Sequence, residues 1–271
     1  MRTEPSPSIQ QSGIDDTIAA ATEPLPHGAG AGAADAAVDA GRHANERIGD
    51  AMRLLDERLA PQRRVVRADD VIYRAGESFT HLYVLNSGCV KIVSLADDGR
   101  EQLVGLKLRG DWLGFDGIAD GRYACDAIAV DTGDIRVLRY DRLIEAGVSC
   151  TPLLAALHEA MSRELGRDRE SLMSLCTLPA DARVAEFLRR WADSLARRGL
   201  RCDEISLRMT RAEIGNHLGM TLESVSRALS RLARDQIIAF AGKGRRDIDI
   251  PHVAALSAFV QRCIASPRVL Q

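Results

Sequence analysis

Between Thr210 and Asp235 the chain reads TRAEIGNHLGMTLESVSRALSRLARD, and few arrangements satisfy that pattern. Ile214, Leu218, Met220, Val225 and Ala228 are spaced for apolar contact between two crossed helices. Gly215 stands where their backbones must come close, and Gly219 where the turn calls for a positive φ. Thr221 is set to cap the second helix, in which Val225, Leu229 and Leu232 recur at helical spacing and face inward. Glu223, Ser226, Arg227 and Ser230 are left on the opposite face. Those residue types read base edges or grip phosphates on a helix of a size to lie in a major groove. The stretch therefore predicts a helix-turn-helix.

The rest of the chain has room for more than this motif. With 271 residues, 46% of them hydrophobic and 4% aromatic, two domains are expected. The formal net charge of -2 hides an asymmetry. Residues 181–271 carry 16 Lys and Arg against 10 Asp and Glu, whereas residues 1–180 carry 20 against 28. A basic C-terminal part fits a polyanion, because neutralised phosphates release condensed counterions. No run of about 18 apolar residues is present, so no membrane span is expected. The N-terminus lacks a basic region leading into an apolar core, which predicts no signal peptide and a cytoplasmic location. Cys89, Cys125, Cys150, Cys176, Cys202 and Cys263 are scattered without a C-x-x-C pair. They read neither as a zinc site nor as a disulfide framework, and no metal site is expected. No nucleophile with a partnered base and no phosphate-cradling glycine loop is recognisable, so an enzyme is not expected.

Residues 1–45, rich in Ala, Gly, Pro and Ser, hold no aromatic residue; the first in the chain is Tyr73. Such a segment buries too little to offset its ordering entropy and is expected to be a disordered tail. Ile48, Met52, Leu55 and Leu59 predict a short helix over Asn45–Leu59, stopped by Pro61. From about Arg63 to Tyr140, short β-prone runs such as His81–Leu85 and Cys89–Val93 alternate with turn signals at Ala75-Gly76-Glu77, Asn86-Ser87-Gly88, Asp97-Asp98-Gly99 and Arg109-Gly110-Asp111. An antiparallel barrel or jelly roll follows, a fold whose interior often holds a ligand. From Arg142 to Cys176 the period is helical. Leu154, Leu157, Met161, Leu165, Leu172 and Leu175 give a nearly heptad stripe, either packed on the barrel or zipped to a second copy. Asp168 falls near that seam, where two like charges meet in a homodimer; a solvated rim position is the other reading. After the Leu178-Pro179-Ala180-Asp181 break comes a helix over 182–198, a short strand at 205–207, the helix-turn-helix and a hairpin wing. Lys243, Arg245 and Arg246 at the wing tip can contact DNA backbone, although a hairpin tip must be polar in any case.

The expected divisions are thus a tail at 1–45, a sensory β-barrel at 46–145, a dimerisation helix at 146–178 and a winged helix-turn-helix at 179–271. The fold class is α+β. In this order, and with the segments Gly110-Asp111-Trp112-Leu113-Gly114-Phe115-Asp116-Gly117-Ile118, Met209-Thr210-Arg211-x-x-Ile214-Gly215-Asn216 and Leu222-Glu223-Ser224-Val225-Ser226-Arg227, residues 46–263 resemble the CRP/FNR superfamily of bacterial transcription regulators, FNR-like branch. The resemblance implies a cyclic-nucleotide-binding-like barrel and a dimer that binds a TTGAT-like inverted repeat in double-stranded DNA, with RNA polymerase as a further partner. Within it, Arg227 can offer a bidentate fork to guanine O6 and N7, Glu223 can accept from a base amino group, and Ser226 can make a smaller discriminating contact. Glu223 has a second reading, since a carboxylate in a first helical turn is favoured by the macrodipole alone. Thr210, Arg211, Thr221, Ser230, Arg231, Lys243 and Arg245 are expected at the DNA backbone. Leu154, Leu157, Met161, Leu165, Asp168, Leu172 and Leu175 are expected at the dimer interface.

Two triggers of that superfamily are disfavoured. An iron-sulfur cluster of the FNR type needs four thiolates or close substitutes, yet no cysteine precedes Cys89 and Arg136 aligns with the barrel cysteine. For cyclic AMP, Gly114-Phe115 stands where a Gly-Glu pair meets the ribose. Cys125-Asp126 stands where an Arg-Ser pair meets the phosphate, which an Asp repels. The signal stays open between haem or another small ligand, with His81 or His158 as axial ligand, a redox thiol at Cys176, and no ligand at all, as in the FixK-like group. A sequence-specific regulator in respiratory, redox or nitrogen-oxide adaptation is the leading expectation. The alternative is a small-ligand-binding regulatory module whose helix-turn-helix serves protein contact.

Overall fold

The structure is a computed structural model that describes residues 30–95, 99, 101–242 and 246–265, with side chains from residue 42 onward. Helix α1 (Gly30–Leu59) precedes strands β1 (Gln62–Val66), β2 (Val71–Tyr73), β3 (His81–Ser87), β4 (Val90–Leu95), β5 (Glu101–Lys107), β6 (Trp112–Leu113), β7 (Asp126–Ala129) and β8 (Gly133–Arg139). These strands form two four-stranded antiparallel sheets, ordered β1-β8-β3-β6 and β2-β7-β4-β5. Ile72, Leu85, Ile92, Leu113 and Ile135 fill the space between them, together with Tyr73, Tyr83 and Tyr123. The rings of Tyr73 and Tyr123 stack with centroids 4.0 Å apart. Alternating burial along β7 is the period of two that the sequence carries, and β8 follows it except where Ile135 and Arg136 are both buried.

Helix α1 departs from expectation. It starts at Gly30, fifteen residues before the expected Asn45. The run Ala33-Ala34-Asp35-Ala36-Ala37 has strong intrinsic helix preference, which prolongs the helix backward from the part that packs. Residues 30–45, expected to lack regular structure, are thus helical, and residues 1–29 of the expected tail lie outside the described residues. Met52 and Leu55 are buried beneath β3 and β8 residues Leu82 and Leu138. Arg136 anchors the same helix to β8, its Nε and Nη2 donating to Asp56 Oδ1 and Oδ2 at 2.6 and 2.7 Å.

The helical stretch after the barrel is divided. Helix α2 (Tyr140–Ser149) stops at Cys150, and α3 (Thr151–Thr177) begins with Pro152 in its first turn. Proline lacks an N–H and crowds the carbonyl four residues back, so a helix accepts it at the start and breaks before it. Helix α3 extends about 40 Å at 1.5 Å per residue. Its stripe serves two surfaces in succession. Leu157 is buried in the core formed with Leu82, Trp112 and Leu143, with Met161 packed at that core's margin. Leu154 lies against Gly147, where an added Cβ would fall 2.6 Å from Leu154 Cδ2. Leu157 is therefore a core residue within the chain, since the N-terminal half of α3 turns its apolar side to the barrel. Further along, Leu165, Leu172 and Met173 are 55%, 61% and 59% exposed. Asp168 is exposed between them.

The C-terminal unit comprises α4 (Ala180–Ala196), β9 (Glu204–Ser206), α5 (Arg211–Leu218), α6 (Leu222–Arg234), β10 (Ala239–Ala241), β11 (Asp247–Asp249) and α7 (Val253–Ala265). Its small sheet has the order β10-β11-β9. Helix α7 adds an element beyond the expected wing, burying Leu256, Phe259 and Val260 in the cluster that holds Phe187, Leu188 and Trp191 of α4. That cluster does not end at the unit's own border. Val93 of β4 and Leu103 of β5 belong to it.

Candidate nucleic-acid interface

Helices α5 and α6 form the turn-linked pair that the glycine spacing predicts. Gly215 carries no Cβ because one there would lie 2.6 Å from the Met220 carbonyl oxygen. Gly219 ends α5 at φ 62° and ψ 42°, the left-handed conformation that closes a helix. Both N-termini are capped by threonine. Thr210 Oγ1 accepts from Glu213 N at 3.1 Å while Glu213 Oε2 accepts from Thr210 N at 2.9 Å, a reciprocal capping box. Thr221 Oγ1 accepts from Ser224 N at 3.2 Å. Each cap satisfies N–H groups that a helix start leaves unpaired.

Helix α6 has two sharply different sides. Val225, Ala228, Leu229 and Leu232 are buried, whereas Glu223, Arg227 and Ser230 are exposed and Ser226 is half-buried. Arg227 Nη2 rests 3.3 Å from Ser224 Oγ, which steadies an exposed guanidinium along the helix. Glu223 has its carboxyl lowered by the hydrogen bond of its own backbone N–H and by the Thr221 hydroxyl, so it stands as an anionic acceptor in the first turn. Ser226 and Ser230 line a recess of about 360 Å³ shared with Thr210, Arg211, Phe240 and Arg246. Beside it, the Arg211 guanidinium lies 5.8 Å from the centre of the Phe240 ring. A row of polar and cationic groups thus runs from the N-terminus of α5 across α6 to the base of the wing. The wing-tip residues Lys243 and Arg245 lie outside the described residues.

One expected backbone contact is engaged elsewhere. Arg231 Nη1 donates to Asp181 Oδ2 at 2.7 Å, fastening α6 to the first turn of α4. Arg231 follows Arg227 by one helical turn, and its side chain stays 38% exposed while it holds Asp181.

The barrel region aligned with a nucleotide pocket is held by its own carboxylates. Asp116 Oδ2 accepts from the backbone N–H groups of Ala124 and Cys125 at 2.8 and 3.0 Å. Asp126 Oδ1 accepts from Ala75 N at 2.7 Å. Arg122 is directed to the Gly76 carbonyl at 2.7 Å. The N–H pair that could meet an incoming anion therefore already has one. His81 sits on β3 with Nδ1 2.8 Å from the Thr80 hydroxyl, and His158 is exposed on α3. Cys176 is exposed on the last turn of α3. Among the described residues no group of three or more His, Cys, Asp or Glu is arranged to hold a metal. With a guanidinium paired to Asp56 at position 136, the donor set does not fit a thiolate-held cluster there.

Sequence reasoning left one group of residues without a role. Asn216 Oδ1 accepts from Leu103 N at 2.6 Å and its Nδ2 donates to the Glu101 carbonyl at 2.7 Å. His217 Nδ1 donates to the Leu103 carbonyl at 3.0 Å, and Lys91 Nζ meets Glu213 Oε1 at 2.9 Å. Arg208 pairs with Asp131 on the barrel side. Arg198, just past α4, donates to Asp111 Oδ2 at 2.8 Å, and Arg167 of α3 donates to Asp111 Oδ1 at 2.7 Å. The sequence signs were the polarity of Asn216 and His217 beside the buried positions of α5, which a solvated helix face also explains, and the presence of Asn216 and Asp111 in the segments that carry the family resemblance.

Known proteins resemble both halves of this arrangement. The cyclic nucleotide-binding domain family matches residues 63–146 and the Crp-like helix-turn-helix domain family matches residues 182–259. The transcriptional activator protein Anr of Pseudomonas protegens is 32% identical over 206 residues, 76% of this chain and 84% of that protein. The anaerobic regulatory protein of Pasteurella multocida is 31% identical over 69% of this chain and 68% of its own length. Among solved structures, FixK2 from Bradyrhizobium japonicum superposes with a TM-score of 0.65 at 28% identity, covering 73% of this chain and 96% of that one. Among the described residues no helix is long and apolar enough to cross a membrane.

Proposed function

Since the chain belongs to the CRP/FNR family of transcription regulators, whose members matched here are regulators and not enzymes, we propose that it is a homodimeric reader of a TTGAT-like inverted repeat in double-stranded DNA. The observation that carries this reading is the outward face of α6, where Glu223 and Arg227 are exposed over a buried apolar side. Arg227 supplies the fork for guanine O6 and N7, Glu223 the acceptor for a base amino group, and Ser226 the smaller contact between them. Thr210, Arg211, Thr221 and Ser230, with Lys243 and Arg245 of the wing, meet the phosphates that fix the register.

Dimerisation is assigned to the distal half of α3, where Leu165, Leu172 and Leu175 continue the stripe beyond the barrel. Asp168 of each copy meets its counterpart in that seam and tempers the association. The functional divisions are a sensory barrel at 46–145, a dimerisation helix at 146–178 and a reading unit at 179–271, in the cytoplasm and with RNA polymerase as the protein partner. Respiratory or redox adaptation fits relatives named as anaerobic regulators. The internal anions Asp116 and Asp126 support a barrel that does not answer to cyclic AMP.

The test is titration of a labelled TTGAT-N4-ATCAA duplex and a scrambled duplex with wild type and Arg227→Ala. The expected result is preference of the wild type for the repeat and a loss of about 1 to 3 kcal/mol of discrimination at the contacted guanine in the variant. Indifference of the wild type to sequence overturns the reading.

A further inference from the structure

We infer that the carboxamide of Asn216 stands in for a missing β-strand at the edge of the barrel, and that this junction sets the spacing of the two DNA-reading heads. Strand β5 is the last in its sheet, so one side of its backbone has no neighbouring strand. A residue of a parallel strand would accept from the N–H after the residue it faces and donate to the carbonyl before it. Asn216 does this with its side chain: Oδ1 accepts from Leu103 N and Nδ2 donates to the Glu101 carbonyl, on either side of Gln102. Gln102 returns the contact, its Nε2 donating to the Asn216 carbonyl at 2.5 Å. The His217–Leu103 and Lys91–Glu213 contacts flank the pair. Beneath it, Leu103 shares a buried cluster with Ile214 and Leu218.

The junction occupies Glu213, Asn216 and His217 on α5 and leaves Glu223 and Arg227 of α6 exposed. It therefore fixes the direction of the reading face without covering it. The barrel is in turn tied to α3 through the Asp111–Arg167 pair. Each reading head is thus held, by way of its own barrel, to the helix assigned to the dimer. This inference rests on the dimeric DNA-reading function proposed above. Two half-sites one helical turn apart demand heads at a fixed separation, and rigid linkage turns the second contact into an intramolecular one. Asn216 is accordingly a positioning residue that touches no DNA.

The test compares full-length wild type, Asn216→Ala and Asn216→Asp on three duplexes: the TTGAT-N4-ATCAA repeat, the same repeat with a six-nucleotide spacer, and an isolated half-site. Asp keeps the shape but cannot donate to the Glu101 carbonyl. Both variants are expected to lose about tenfold or more in affinity for the N4 repeat, to lose the preference for N4 over N6, and to bind the half-site as the wild type does. Circular dichroism and sedimentation verify that folding and dimerisation match the wild type. Equal loss on half-site and repeat, unchanged binding throughout, or a gain on the N4 repeat each overturns the inference. A wild type that ignores sequence on all three duplexes would instead refute the underlying function.

Discussion

Arg198 and Asp111 meet at 2.8 Å across the boundary between barrel and reading unit, each side chain only 5% exposed. Burial alone would raise the Asp111 carboxyl, but Arg198 and Arg167 outweigh it and hold the group below the ordinary carboxylate range. Removing one partner strands a buried charge, which costs far more than losing a surface pair. Asp111→Ala is therefore expected to destabilise the chain by about 3 to 5 kcal/mol in urea unfolding. Because the folded carboxyl titrates below its unfolded value, its contribution is complete above about pH 4 and declines as the pH falls through the depressed value. The acid limb of the stability profile should be shallower in Asp111→Asn than in the wild type.

His217 provides a second pH-dependent contribution with its own window. Burial lowers the imidazole below its usual value, Arg190 adds to that, and the Leu103 carbonyl opposes both. The neutral ring is the form the fold favours. Its stabilisation is present above about pH 6.5 and declines as the pH falls through the lowered folded value. Urea midpoints measured from pH 7.5 to 5 should drop more steeply for the wild type than for His217→Gln.

The helical glycines Gly215 of α5 and Gly166 of α3 should respond in opposite directions. A methyl group at Gly215 meets the Met220 carbonyl at 2.6 Å, and its next neighbours, Thr221 C and Leu222 N, are backbone atoms too, which prevents easy relief. Gly215→Ala is expected to cost about 1 to 3 kcal/mol and to weaken DNA binding. Gly166, inside α3, has nothing within 4 Å of an added Cβ. Gly166→Ala should stabilise by up to about 1 kcal/mol through helix propensity alone. Thermal melts of the pair, with the wild type between them, check both signs.

The exposed part of α3 should govern association. Leu172→Lys places a charge in the proposed seam and should shift sedimentation toward monomer, forgoing about 1.5 to 3 kcal/mol for each leucine that the dimer buries. Asp168→Leu should move the equilibrium the other way, since partial desolvation and the neighbouring Glu164 already raise the carboxyl of this exposed residue, and a seam between two copies would bring a second like charge against it. A dimer unaffected by either change would locate the interface elsewhere.

The parts of this molecule that the sequence revealed are those governed by local rules. Gly215, Gly219 and Thr221 announce the helix pair because a close approach, a left-handed residue and a cap each admit few side chains. The strands at 81–85 and 89–93 were recognisable from β-branched and aromatic runs between turn residues. Where two partners compete for one face, the pattern was silent. Leu157 and Leu165 look alike in a heptad, yet one is buried in the core with Leu82 and Trp112 and the other is exposed, because a repeat along one helix does not tell how far a neighbouring core reaches along it. Arg231 reads as a cation on a DNA-reading helix until Asp181 is found 50 positions earlier in the chain. Asn216 and Asp111 escaped for the same reason, since their partners lie 113 and 87 residues away.

Val93 and Leu103 are barrel residues by chain position but sit in the same buried cluster as Ile205, Met209 and Leu218. Cutting the chain near Leu178 would open that cluster from both sides. The two halves are therefore not interchangeable cassettes. A chimera that joins this reading unit to another sensor must bring the β4–β5 ribbon with it, or rebuild the matching surface. The same coupling predicts a single cooperative melting transition for barrel and reading unit together, so natural exchange of DNA specificity should proceed through substitutions on α6 and not through wholesale shuffling of domains.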